Sequence, residues 1–488
     1  MAQVLVAARA IDVDQQRYRC GAFQVEITDL MNEKQANVFP LHLAPIDRFF
    51  LVDENSAYPM TYVIQIECQG VLDREAFEAA LRQAMDRHIL LKAVIRPAKR
   101  GMLCWVSSDG MFPPIDWNTD DVPVQCDGGE GFDMSRELGL RIWVRCDDST
   151  TRIVLQFHHA VTDGTGAFRF IGDLLVFYDR YFGNEKNELL PLDARLLRNR
   201  RRRMIDAYAQ ENQWTLWKAI FRELRTVFGR RVLPVSLPRT VRVDRPSFPG
   251  IEVQTISEAE HAALRDASLR DGVMMNDVML FLLFQTVRSW NERHDKRSRR
   301  QPIRLLMPTD MRDKEEYGMP AANMTSYTFL TREQRECDRP TQLLQSIREE
   351  TAKIKHHRVG VNFIDTISAA ENSPRIMRWL LGRRRCLSSA VLTNNGDPSR
   401  RFTAKLRRKE GLVQSGNIII ERFSGVPPLR DLTRTSLAIM TYAKQLTISV
   451  RCDPYYFEPS DARQFLELYL HHLRQYANCA AEPVGAAT

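Results

Sequence analysis

Residues 152–166 read RIVLQFHHAVTDGTG. Arg152–Phe157 follows the polar turn DDST at 147–150, with a similar run at Leu140–Cys146 before the turn, so the two read as neighbouring strands. The glycines at 164 and 166 open a helix. His158, His159, Asp163 and Gly164 therefore stand where a strand ends and a helix begins. With ordinary residue frequencies, His-His and Asp-Gly at this spacing arise by chance in roughly one chain of this length per 2000.

The chemistry these residues allow is narrow. Successive side chains of a strand point to opposite faces, so His158 and His159 do not converge on one metal ion, and metal binding is disfavoured. One ring must face packing and the other a cleft. A single imidazole at a strand mouth is largely neutral at pH 7, so it can act as a general base. Glycines at 164 and 166 let the backbone come close to a substrate, and the N–H of Gly164 is a donor for a developing oxyanion.

The string HHAVTDG resembles the signature of the HHxxxDG acyltransferase superfamily. That group includes chloramphenicol acetyltransferase, the condensation domains of peptide synthetases, BAHD-type plant acyltransferases, wax ester synthases and polyketide-associated acyltransferases. The resemblance implies His159 as general base, His158 as a structural residue, and an ion pair between Asp163 and an arginine, for which LLMPTDMR offers Arg312. It also places Asn323 and the stretch Thr393, Asn394 and Asn395 along a substrate channel. The fold implied is mixed α/β, with two chloramphenicol-acetyltransferase-like lobes and the channel between them. The function implied is acyl transfer from a thioester to the hydroxyl of a small acceptor, the donor being acyl-CoA or a phosphopantetheine thioester on an acyl carrier protein, with no permanently bound cofactor. Carrier-dependent amide formation and a non-catalytic binding protein on the same scaffold are the alternatives. The plant-type DFGWG motif is absent.

The rest of the chain fits this frame. Its 488 residues are 44% apolar and 27% charged, a globular composition with room for more than one domain. No run of about 18 apolar residues occurs, and the N-terminus lacks the pattern of a secretion signal, so a soluble cytoplasmic protein is expected. Nine scattered cysteines, none in a CxxC pair, predict reduced thiols. A net charge of +8, from 69 basic and 61 acidic residues, suits an anionic partner. No nucleic-acid-binding signature accompanies it. Basic runs at Arg198–Arg203, Arg383–Arg385 and Arg400–Lys409 read as solvated faces or as a handle for the phosphates of CoA or a carrier arm.

Periodicity predicts strands at 62–68, 91–96 and 103–106, a helix after the cap Asp73, helices opened by Ser257 and spanning 276–294, and a strand at 303–307 closed by Pro308. A helix at 340–357, a strand at 390–393 ending in an Asn-Gly turn, paired strands at 437–441 and 446–452, and a helix at 460–476 follow. The pairs His356–His357 and His471–His472 lie in helices with no Asp-Gly after them and read as filler. The expected organisation is an extension (1–38), a first lobe (39–195), a basic crossover (196–241), a second lobe (242–480) and a tail (481–488).

Overall fold

The structure is a computed structural model and describes residues 38–479 apart from 99–101, 109, 186, 201–230, 244–245, 296–300, 358–362 and 364–384. The expected extension, most of the basic crossover and the tail lie outside the described residues. Among those described, no helix is long and apolar enough to cross a membrane. The cysteines at 68, 104, 126, 146, 337, 386 and 452 are free thiols.

In chain order the strands are β1 (Leu41–His42), β2 (Thr61–Gln69), β3 (Ala93–Pro97), β4 (Leu103–Ser107), β5 (Ile115–Thr119), β6 (Leu140–Cys146), β7 (Thr150–His158), β8 (Glu252–Ile256), β9 (Ile303–Asp310), β10 (Thr325–Arg332), β11 (Ala390–Gly396), β12 (Arg407–Lys409), β13 (Leu412–Ser415), β14 (Ile418–Val426), β15 (Thr435–Tyr442) and β16 (Gln445–Cys452). The helices are α1 (Pro45–Asp53), α2 (Arg74–Arg87), α3 (Gly164–Tyr181), α4 (Glu258–Arg270), α5 (Met275–His294), α6 (Pro340–His357) and α7 (Pro459–Cys479).

Two large mixed sheets organise the molecule. The first has the order β12-β13-β14-β2-β7-β6-β5 and the second the order β10-β9-β11-β15-β16-β8; a small sheet, β1-β4-β3, stands beside the first. On one face of β2, Tyr62, Ile64, Ile66 and Cys68 join a core completed by Phe77 and Leu81 of α2 and Phe168 and Ile171 of α3. On the other face Val63 packs with Trp143 and Val154 under Phe248 and Ile251. Both faces are covered, so the alternation readable in the sequence marks packing partners rather than core and solvent. The second sheet buries Leu305, Ile439 and Ile448 against Leu283 and Trp290 of α5 and Phe465 and Tyr469 of α7.

The lobes are less separate than their order in the chain predicts. Strand β14 leaves the C-terminal half and pairs antiparallel with β2, with Phe423 opposite Ile66 and Val426 opposite Val63. Residues 407–426, expected in the second lobe, thus belong to the first sheet.

Local expectations also shift. Strand β9 runs through Pro308 to Asp310, because β11 accompanies it only at Leu305 and Leu306, and a residue without N–H is tolerated once that side of the ladder has ended. Strand β11 is parallel to both its neighbours, so Asn395-Gly396 is a bulge at a strand end instead of a hairpin turn; Gly396 takes φ +60° there. The basic run at 198–203 is not wholly a solvated face, since Arg200 is buried on the Asp47 carboxylate through two bonds of 3.0 and 2.9 Å.

Candidate active site

Strand β7 delivers the two histidines at the seam between the sheets. The His158 N–H bonds the carbonyl of Gly139 at 3.0 Å, and the His159 N–H bonds that of Met60 at 2.8 Å, so both are fixed by backbone on either side. Alternation then sends the rings apart. His158 is fully buried; its Nδ1 accepts from the Ala160 N–H at 3.1 Å, which leaves the proton on Nε2 to bond Glu54 Oε2 at 3.0 Å. That ring is tied on both nitrogens.

His159 faces the opposite way, into a cavity of about 170 Å³ whose wall it forms with Tyr62, Gly164, Thr165, Phe168 and Tyr327. Phe50 of α1 lies parallel to the imidazole, ring centres 4.1 Å apart and planes 10° from coplanar, and Tyr62 leans on it at 4.9 Å. Burial under these rings lowers the His159 pKa to about 4, against the raising influence of the Asp163 charge and of the residue's own carbonyl. The ring is neutral throughout the physiological range. Behind it, Asn323 Nδ2 donates to the His159 carbonyl oxygen at 2.6 Å and lies 3.2 Å from Nδ1, its own orientation set by the Thr325 N–H bonding Oδ1 at 2.9 Å.

Asp163 does not reach the ring by any hydrogen bond among the described residues. It caps α3, Oδ1 accepting from the Gly166 N–H at 2.8 Å, while Oδ2 accepts from the Met324 N–H at 2.8 Å. Arg312 holds both oxygens, Nη1 on Oδ2 at 2.8 Å and Nη2 on Oδ1 at 3.0 Å, and Nη2 also donates to the Ala322 carbonyl at 2.7 Å. Burial pushes the Asp163 carboxyl up, but the Arg312 charge and these bonds outweigh it and hold the group below the usual carboxylate range. One carboxylate thus locks three elements: the helix start, the end of β9 and the loop before β10.

Gly164, Thr393, Asn394 and Asn395 line the cavity, and a Cβ on Gly164 would stand 3.4 Å from Asn395 Oδ1. Asn323, expected in the channel, is fully buried and stands behind the imidazole instead. Gly166 is likewise not close to a substrate. Its Cα packs on the Ala322 backbone, where a Cβ would meet Ala322 O at 2.9 Å and Thr162 Oγ1 at 2.3 Å. Helix α5 supplies core and no cavity wall.

The fold has counterparts among solved structures. The first condensation domain of the calcium-dependent antibiotic synthetase, in complex with a substrate analogue, matches with TM-score 0.65 and 14% identity over 91% of this chain and 97% of that one. The chain has the condensation-domain fold. The cyclization-docking bidomain of EpoB from Sorangium cellulosum shares it at TM-score 0.62 and 16% identity, over 95% of this chain and 92% of that one. Polyketide synthase associated protein 5 from Mycobacterium tuberculosis shares it at 0.58 and 13%, over 90% and 98%.

No protein-family model matches the chain. Among curated sequences, an uncharacterized protein of Mycobacterium tuberculosis is 25% identical over 302 residues, covering 59% of this chain and 65% of that protein's length. A linear gramicidin synthase polypeptide of Brevibacillus parabrevis is 23% identical over 187 residues, 34% of this chain and 2% of that protein.

Within the condensation fold, three contributors escape the sequence reading: Phe50 on the imidazole, Glu54 on His158, and Tyr62, whose hydroxyl donates to the Asp163 carbonyl at 3.1 Å. Phe50 and Glu54 come from α1 and the residue after it. Its signal was available in Pro45 at the first helical position and in Asp47, whose Oδ2 accepts from the Ala44 N–H at 3.1 Å.

Proposed function

We propose that this chain is an acyltransferase that moves an acyl group from a thioester, acyl-CoA or an acyl carrier protein's phosphopantetheine arm, to the hydroxyl of a small acceptor, with His159 as general base. The observation that carries the reading is a neutral imidazole in a cavity wall at the seam of the sheets, with Nδ1 turned toward its own carbonyl. With the proton on Nδ1 and received by that carbonyl, Nε2 keeps its lone pair for the acceptor. The hydroxyl oxygen attacks the thioester carbon as its proton passes to Nε2; the carbonyl becomes an oxyanion facing the Gly164 N–H, one of the orphan donors of the first helical turn. Collapse breaks the C–S bond, and the thiolate takes the proton from Nε2. A pKa of about 4 makes His159 a modest base, but makes its imidazolium a strong acid, quick to return the proton.

His158, Asp163 and Arg312 are structural in this reading, and Thr393, Asn394 and Asn395 orient the substrates. The test is a panel of acyl-CoA thioesters with simple alcohols and amines, followed by release of free thiol. His159→Ala is expected to lose about 10² to 10⁴-fold in turnover while keeping the fold. Asp163→Ala should lose turnover and stability together, the latter by about 3 to 5 kcal/mol, because it removes the cap of α3 and two of the carboxylate bonds of the buried Arg312, which keeps Asp310. Full activity in His159→Ala overturns the base assignment. Amide formation on carrier-bound donors is the second reading, favoured by the likeness to a stretch of a linear gramicidin synthase. Turnover confined to amine acceptors and carrier-loaded donors would select it.

A further inference from the structure

The cavity has two ends of different character. Of the side chains in its wall, Asp310, Asn394 and Arg401 are exposed, and Asp310 accepts from the hydroxyl of Thr165 at the start of α3, so the end beside Gly164 is the mouth. At the other end Asp53, Tyr327, Leu387, Ser388, Arg430 and Thr433 share the wall, and none of them is exposed. Phe50 connects this end to the base: its ring lies on His159 with centres 4.1 Å apart and meets Tyr327 edge-on at 6.1 Å.

The polar groups of the enclosed end are unevenly satisfied. Ser388 and Thr433 serve one another, the Thr433 hydroxyl donating to the Ser388 carbonyl at 3.0 Å and lying 3.3 Å from the Ser388 hydroxyl. The Asp53 carboxylate accepts one N–H among the described residues, that of Arg430 Nε, 2.8 Å from both oxygens, although an ionised carboxylate offers about four lone-pair sites. Burial raises that carboxyl above its ordinary value, and Arg430 offsets only part of the rise. The hydroxyl of Tyr327 makes no hydrogen bond among the described residues. Burial first, and the Asp53 charge second, keep its proton in place. As a tie across the seam, the ion pair accounts for Asp53 and Arg430. It does not account for a phenol at 327, because the packing of that ring on Phe49 and Phe363 would be the same for phenylalanine.

We propose that Tyr327 and Asp53 form a recognition site for the far end of the acceptor, and that this end carries a neutral hydroxyl. The inference rests on the acyl-transfer reading for the hydroxyl that reacts at His159 and adds a second group by which the protein selects its acceptor. In that reading the thioester carbonyl faces Gly164 and the donor's arm leaves through the mouth, so the enclosed end is left to the acceptor. A hydroxyl there donates to Asp53 and accepts from Tyr327, satisfying both. A methyl group in the same place leaves both unpaired in a site shut off from water. The charges of Asp53 and Arg430 cancel, so neither a carboxylate nor an ammonium group regains from them what it loses on leaving water.

Thiol release from acyl-CoA by the full chain, with straight-chain acceptors that differ only at the far end, tests the site. The terminal diols of four, six and eight carbons are compared with the monohydric alcohols of the same lengths and with the six-carbon hydroxy acid. At the length that spans the cavity, kcat/KM for the diol, halved for its two equivalent ends, should exceed that for the alcohol by about 10- to 100-fold, the value of a hydrogen bond to a charged group. The hydroxy acid should gain nothing over the alcohol. In Tyr327→Phe the diol-to-alcohol ratio should fall toward one, and Asp53→Asn should lower it too, with a thermal melt of each variant as the folding control; loss of packing alone would slow both acceptors and leave the ratio where it was. A ratio near one at every length, a preference for the hydroxy acid, or a ratio unmoved in folded Tyr327→Phe overturns the proposal. Absence of thiol release with every acceptor would count against acyl transfer itself. The site is then judged by calorimetric titration with the same diols and alcohols, where equal binding of the two, or no binding of either, overturns it.

Discussion

The reactivity of His159 is set by what covers it more than by what bonds it. Both histidines of the pair are buried, yet the one tied on two nitrogens is His158, and the one with a ring face against Phe50 has its pKa brought down to about 4. Burial is the first cause of that shift. Removing the stacked ring should therefore let water onto the imidazole and raise its pKa toward the ordinary 6.5. In Phe50→Ala the acid limb of the kcat/KM profile should move up by one to two pH units, roughly, so that activity lost below about pH 4 in the parent is lost nearer pH 6 in the variant. The pH–rate profiles of the two proteins check this. An unmoved limb would mean that Phe50 only fills space. The same substitution leaves a cavity costing about 3 to 5 kcal/mol, so the comparison belongs at a temperature well below the variant's melting point.

At the scale of elements, the site is an intersection of β7, the first turn of α3 and the loop between β9 and β10. Helix start and loop meet backbone on backbone. Gly166 sits where a Cβ would lie 2.9 Å from Ala322 O and 3.0 Å from Ala322 N, and neither atom can rotate away. Gly166→Ala should push the helix start off the loop, stretching the bond from Met324 N to Asp163 and that from Asn323 to His159. A loss of about 1 to 3 kcal/mol in stability is expected together with a fall in kcat, read by thermal melts and by thiol release at saturating donor. Retained kcat with lowered stability would separate packing from alignment. This intersection also marks how far sequence reasoning reaches. His158–Gly164 is legible because strand end, histidine pair, cap and helix start are consecutive, and each has a local signature. Arg312 is legible as the clasp because the family resemblance supplies its partner. Asn323 is named by the sequence but put on the wrong side of His159, since no spacing reports that Arg312, Asp163 and His88 pin its loop from behind, the last accepting from the Ala321 N–H at 2.8 Å. Phe50 is missed altogether: α1 has 9 residues, too few for periodicity to stand out.

At the scale of the whole molecule, the two lobes of the condensation fold cannot be cut apart along the sequence. Strand β2 has nine residues, TYVIQIECQ, and takes β7 on one edge and β14 on the other, the latter from the opposite half of the chain. Pattern reading pairs strands that are near in sequence, which is why β15 and β16 are legible and β14 is not. Further ties cross the seam: Arg430 Nε lies 2.8 Å from both oxygens of Asp53, Arg451 Nη2 donates to Glu130, and Tyr58 donates to Asp453 at 2.9 Å. A fragment of residues 38–200 would keep β5, β6, β7 and β2 but expose the whole apolar edge that β14 covers, and it would lose Arg312 from beneath Asp163. An uncovered strand of that length and composition is a template for pairing with other chains. The fragment should therefore aggregate, or lack cooperative unfolding, where the full chain unfolds cooperatively. Sedimentation with a thermal melt followed by near-ultraviolet circular dichroism checks this. A soluble monomeric fragment with a sharp transition would show that β14 is an accessory to the first lobe, and the clasp at Asp163 would then have to be credited with less of the fold than its four hydrogen bonds imply.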